Sequence, residues 1–350
     1  MRKLLAGVLA LVFVLGFALD AIGWGALQTL FSPNTYVTII RRPEFVGAAT
    51  ELARDQVAAQ VLKQGAALGS LFTADDADWV AKQLVSEPWL TAQMEQWLGV
   101  LFDYLKGAEP QPELILSLAE LKHKVPDIAE TLLADKLRRL PLCTMEKAAE
   151  ALVALLSGSE IPLCLPPNFD VDGFVRSDTL NLRGHVAAAM QSVPDSVDIL
   201  ALADEADRES VIAGLNEIRQ ARRQAQDYLT VLSAALAGAF LLIGLLRWTP
   251  TRALLQWWGW TLVLSGGLAL TAFGLLFVVR GALWTWVATS PNGALPANLL
   301  PMAQAAFEGI FSAMGGWMLF VGGAAALAGL ALAALSLAMP RGGAAVGGES

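Results

Sequence analysis

Four long apolar runs constrain this chain more than any motif. One lies near the N-terminus, three crowd toward the C-terminus, and residues 31–228 between them have an ordinary polar composition. A helix needs about 20 apolar residues to cross the hydrocarbon core of a bilayer. Residues 4–19 carry no charge, and the apolar character resumes after Asp20 as far as Leu30; residues 229–246, 253–279 and 310–339 are uncharged throughout. The pattern predicts an all-α membrane protein with four transmembrane helices in a 1 + 3 order and a large, mainly helical domain threaded between the first two.

Charge follows the same division. Of the 32 acidic residues 29 fall in 31–228, as do 18 of the 24 Lys and Arg, so that segment has a net charge of −11. It is long enough to bury a core of its own. An acidic surface does not attract a phosphate backbone, which argues against nucleic acid as a partner. Anionic lipid headgroups would be repelled too, except at local basic spots such as Arg41-Arg42 and Arg222-Arg223.

Basic residues in short flanks set membrane orientation, and long loops are excluded from the rule. With the N-terminus in the cytoplasm, Arg2, Lys3, Arg247, Arg252 and Arg341 fall inside and only Arg280 falls outside. Residues 31–228 are then extracytoplasmic, and both termini are cytoplasmic. Trp248, Trp257, Trp258 and Trp260 cluster at one boundary, with Trp284 and Trp286 at the other, as expected of indoles at the headgroup level. The expected layout is an uncleaved first anchor over 4–30, the outer domain over 31–228, and a second span over 229–248. A third span follows over 253–279, an outer loop with an interfacial helix over 280–309, a fourth span over 310–339, and a cytoplasmic tail over 340–350. The first run could also be a signal peptide, but its apolar character continues past the weak Gly16-Phe17-Ala18 cleavage pattern.

Helical signals dominate the middle. Apolar residues recur at helical spacing from Phe45 to Leu62. Thr73 with Asp76 reads as a capping box. Pro88 opens a helix whose stripe is Leu90, Met94, Trp97, Leu101 and Leu105, and Gly107 closes it. Further helices are expected over 112–122, 126–140, 144–156 and 177–190, with a break at Val125-Pro126. Tyr36–Ile40, rich in β-branched residues, is the best strand candidate. From Asp204 to Trp248 no proline interrupts the chain, so one helix of about 65 Å could enter the second span from above.

Few residues carry legible chemistry. Cys143 and Cys164 are the only cysteines; outside the cytoplasm such a pair is a disulfide candidate, with two buried thiols as the plainer reading. Residues 168–173 (Asn-Phe-Asp-Val-Asp-Gly) admit two readings. Oxygen ligands at Asn168, Asp170 and Asp172 before the turning Gly173 resemble the start of a calcium loop. Yet Asn168 stands where the first Asp belongs, and Thr179 replaces the bidentate Glu. That favours an Asp-Gly turn capping the next helix. Asp20, about 24 Å up the first helix from Leu4, is expected near the outer interface. Gly315, Gly316, Gly322, Gly323 and Gly329 recur in sevens, lining the fourth span with small residues that let a neighbouring helix approach closely, within the bundle or in a homo-oligomer. His123 and His185 lie in no metal or nucleophile pattern, and no phosphate loop is visible. The chain is therefore read as non-enzymatic, without cofactor or metal.

The stretch from Thr35-Tyr36-Val37 through Glu51-Leu52-Ala53 and Val57, and the lead from Val193 to Tyr228, resemble a group of uncharacterised bacterial four-span membrane proteins with a large helical extracytoplasmic loop. That group supplies no functional residue. The order of spans is also similar to FtsX- or MacB-type permeases, which implies an ATPase partner and an outer domain that transmits force. Those permeases dock their ATPase through cytoplasmic helices, for which only Met1–Lys3 and 247–256 are available here. The expected partners are the lipid bilayer and an envelope protein or ligand bound by the outer domain.

Overall fold

The computed structural model describes residues 2–65, 72–144, 147, 164–177, 180–246, 251–289, 296 and 299–339. Among them are twelve helices and two short strands. Four helices are long and apolar enough to cross a membrane. The chain divides into two compact units, one made of residues 1–45, 98–111 and 209–350, the other of 46–97 and 112–208.

The first unit holds all four long apolar stretches. Helix α1 (Arg2–Leu30) is followed by α2 (Pro33–Ile40), which opens on a proline after Ser32. The β-branched run Tyr36–Ile40, expected as a strand, is thus helical. Pro33 presets the first turn, and Ile39 and Ile40 are buried, so packing overrides β propensity. Ile39 lies against Gly309, where a Cβ would come within 2.3 Å of Ile39 Cγ1.

Helices α10 (Glu205–Leu246), α11 (Thr251–Thr289) and α12 (Leu300–Ala338) complete this unit. α10 is the single unbroken helix that the proline-free stretch predicts. It meshes with α1 in antiparallel order: Phe13 on Phe240 with ring centroids 5.1 Å apart, Gly16 against Leu236, and Gly23 against Leu229. Phe13, Leu236 and Ile243 form the buried centre, with Trp258 of α11 packed on it. Large apolar side chains, among them Leu11, Leu19, Val231, Leu264, Val278, Phe320 and Leu337, are exposed on the outward faces of these helices. α11 and α12 outrun their apolar runs: at 39 residues each they reach about 58 Å. Residues 280–289 and 300–309, expected in an outer loop with an interfacial helix, are continuations of the two helices.

The second unit comprises most of α3 (Pro43–Gly65), α4 (Ala74–Leu84), the start of α5 (Glu87–Lys106), β1 (Ile115–Ser117), α6 (Ala119–Arg138), α7 (Val171–Val175), α8 (Leu182–Gln191), β2 (Ser196–Asp198) and α9 (Ile199–Leu202). Thr73 and Asp76 make the reciprocal capping box at the start of α4. β1 pairs antiparallel with β2, Leu116 opposite Val197, where a helix over 112–122 was expected. Side chains of α5 hold this ribbon: Trp97 Nε1 donates to the Ile115 carbonyl at 2.8 Å and Gln93 Oε1 accepts from Ser117 N–H at 2.8 Å.

Pro126 does not split α6, contrary to the expected break. It is buried inside a continuous helix. The lost hydrogen bond costs up to about 3 kcal/mol, which is offset because α4, α7 and α8 all pack on α6. The helix expected over 177–190 begins at Leu182, after Asn181 in a left-handed conformation (φ 40°). The helix expected over 144–156 lies, apart from Thr144 and Lys147, outside the described residues.

Candidate functional site

The glycines of α12 divide between two faces. A Cβ on Gly322 would lie 3.2 Å from the Gly266 carbonyl oxygen, one on Gly329 2.6 Å from that of Gly259, and one on Gly315 2.5 Å from the Phe273 ring. Gly316 and Gly323 meet nothing within 4 Å. The close seam is therefore Gly315, Gly322 and Gly329 on α12 against Phe273, Gly266 and Gly259 on α11, with both helices stepping in sevens. Gly259 and Gly266 were readable from that spacing, but only in combination with the antiparallel partner.

Asp20 is not a lone acid. Ser233 Oγ donates to its carboxylate at 2.9 and 3.1 Å, and Trp24 Nε1 donates to Ser233 Oγ at 3.1 Å. This ties α1 to α10 through polar groups beside the apolar contacts of Phe13, Leu236 and Leu229. Satisfying these half-buried polar groups in this way avoids part of the penalty of leaving them bare.

The sulfurs of Cys143 and Cys164 are bonded at 2.01 Å. The disulfide closes a connection also pinned by a parallel bridge between Leu142 and Leu165. In the neighbouring loop, Asp170 accepts from Gly173 N–H at 2.9 Å and caps α7. Both oxygens of Asp172 engage Arg138 Nη2 at 2.6 and 2.7 Å. The two carboxylates are thus committed to a cap and an ion pair. Among the described residues no three His, Cys, Asp or Glu side chains converge as metal ligands.

Among the described residues, three clefts of the second unit draw on α6. One, of 340 Å³, lies between α4 and α6 and is lined by Asp75, Asp76, Trp79, Thr131, Leu132, Asp135, Arg138 and Arg139. A second, of 210 Å³, continues toward α7 along Glu130, Arg138, Asp172 and Arg176. A third, of 450 Å³, lies between α6 and α8 and includes Lys122, His123, Arg183, Met190 and Asp195. Their charges are largely paired internally: Arg139 with Asp135 at 2.7 Å, Arg183 with Asp127 at 2.5 Å, Lys122 with Asp195 at 2.5 Å, and Lys136 with Asp76. Burial alone would push the Asp76 carboxyl up; the Lys136 ammonium and the Thr73 hydroxyl and N–H outweigh it and hold it below the usual carboxylate range. The Lys122 ammonium does the same for exposed Asp195.

No protein-family model matches the chain, and no curated protein and no solved structure matches it.

Proposed function

We propose that this is a multi-pass membrane protein of the cell envelope whose acidic unit lies outside the cytoplasm and binds, senses or scaffolds a ligand or another envelope protein, without catalysis. The observation that carries this reading is segregation. All four membrane-length apolar stretches belong to one unit, with apolar side chains exposed on their outward faces, while the other unit carries the paired charges and the clefts around α6. Exposed apolar surface of that extent suits lipid rather than water. The basic flanks Arg2, Lys3, Arg252 and Arg341 support cytoplasmic termini.

A second reading rests on α10. This is one unbroken helix of 42 residues whose first residues, 205–208, belong to the acidic unit and whose remainder belongs to the apolar one, a form suited to transmitting force in a permease driven by an ATPase partner.

In-cell crosslinking of the full chain with mass spectrometry separates these readings. Crosslinks from Lys82, Lys124 or Lys136 to envelope proteins support the first. An ATPase crosslinked to residues 247–256 supports the second. Crosslinks from the acidic unit to cytosolic proteins alone overturn both.

A further inference from the structure

Three arginines of α10 gather where the apolar part of the first unit ends. Arg222 Nη1 donates to the Leu105 carbonyl at 3.0 Å, and its guanidinium lies over the Phe31 ring, 5.7 Å from the centroid. Arg219 lies over Tyr104 at 5.5 Å, and that tyrosine's hydroxyl is bonded to Asn216 at 2.8 Å. Gly107, just past the end of α5, has φ +88°. A Cβ there would stand 2.6 Å from Arg219 Nη2 and 3.2 Å from Arg223 Nη2, so these two guanidinium groups sit side by side.

The end of α5 accounts for only part of this charge. A helix C-terminus presents roughly half a negative charge, against three full positive ones. Among the described residues none of the three arginines has a carboxylate within ion-pair distance. Arg219 Nε is enclosed with no acceptor at all. The cluster therefore has capacity for an anion that the protein itself does not supply.

Its position selects the anion. Leu30 is the last residue of the first apolar run, and Arg222 rests on Phe31, the next residue. The pairing of Gly23 with Leu229 gives the same level independently, since eight further residues up α1 correspond to about eight back along α10. On the membrane reading above, on which this inference rests, that is the layer where hydrocarbon gives way to headgroups. We infer that Arg219, Arg222 and Arg223 form a binding site for the phosphate of an anionic phospholipid, which anchors an otherwise acidic chain at this interface. Guanidinium groups suit the task because their fork of donors matches phosphate oxygens and their planes stack on the Tyr104 and Phe31 rings.

The test uses the full chain, purified in detergent and offered mixed micelles containing equal amounts of phosphatidylglycerol and phosphatidylcholine, with retained lipid read by native mass spectrometry. Phosphatidylglycerol should be retained in preference. The preference should fall roughly fivefold for each arginine removed and be unchanged in Arg183→Gln, a control in the other unit. Because Arg222→Gln removes the bond to Leu105 and can disturb folding, the deciding variant is Arg223→Gln, whose guanidinium makes no hydrogen bond among the described residues. A wild-type chain that retains both lipids equally, or an Arg223→Gln chain with undiminished preference, overturns the inference. Flotation of the wild-type chain with pure phosphatidylcholine vesicles is read alongside. If it fails, the membrane reading itself falls; if it succeeds without lipid preference, only the arginine site falls.

Discussion

Gly266 and Gly322 face each other so closely across the α11–α12 seam that a Cβ on Gly266 would lie 2.4 Å from the Gly322 carbonyl oxygen. The obstacle is backbone, not the tip of a side chain, so it cannot step aside. In lipid, where helices gain nothing by hiding apolar surface from each other, close backbone approach of this kind is a principal source of packing energy.

Gly266→Val should therefore push the helices apart and destabilise the protein by about 1–3 kcal/mol. Gly323→Val, one residue from the seam and facing open space, should change stability by less than about 0.5 kcal/mol. Thermal unfolding of both variants in the same detergent checks the contrast. Equal effects would mean that the seam does not run through Gly266.

Ser233 supplies the only protein hydrogen bonds to Asp20 among the described residues and also receives that of Trp24. Ser233→Ala leaves both partners bare and should cost about 1–3 kcal/mol, whereas Ser233→Thr keeps a hydroxyl and should cost less. Melting curves, together with the emission maximum of the tryptophans, report the loss.

The order of elements was largely legible. Charge-free runs located the four long helices, and Thr73 with Asp76 announced the start of α4. What stayed hidden depended on tertiary partners. Tyr36–Ile40 reads as strand by its side chains, but Pro33 and the burial of Ile39 make it helix. Pro126 reads as a break until α6 is seen to carry α4, α7 and α8. The glycines of α12 were visible as a repeat, but only the presence of Gly259 and Gly266 opposite shows which of them touch. The arginine cluster was visible only as basic spots, because its meaning lies in Gly107 and Phe31, far away in sequence.

Cys143 and Cys164 are 21 positions apart, and a cross-link over a loop of that size stabilises by roughly 3 kcal/mol. The double variant Cys143→Ala, Cys164→Ala should lose that amount. Denatured, unreduced wild-type protein should take up no thiol reagent, and reduction should expose two reactive groups. Labelling before reduction would contradict the bond.

The ion pair between Asp76 and Lys136 gives the acidic unit a defined pH dependence. The Asp76 carboxyl is held below its ordinary value of 3.8 in the folded state. Its contribution is fully present above pH 3.8 and is lost as pH falls through the folded value, because the unfolded chain takes up the proton first. Asp76→Asn should cost about 2 kcal/mol near neutrality. The gap between variant and wild type should close in acid, as followed by thermal unfolding across pH. A gap of constant size would mean that the charge of the Asp76 carboxylate, toward Lys136 and Thr73 alike, adds nothing to stability.

Thiol labelling of intact cells tests most directly whether the apolar helices lie in the membrane with the acidic unit outside. With the native cysteines bonded to each other, a cysteine introduced at exposed Glu113 should react with a membrane-impermeant maleimide added to whole cells, while one appended after Ser350 should react only after permeabilisation. Labelling of the C-terminal cysteine but not of position 113 in intact cells, or release of the protein from membranes by alkaline carbonate, would contradict it.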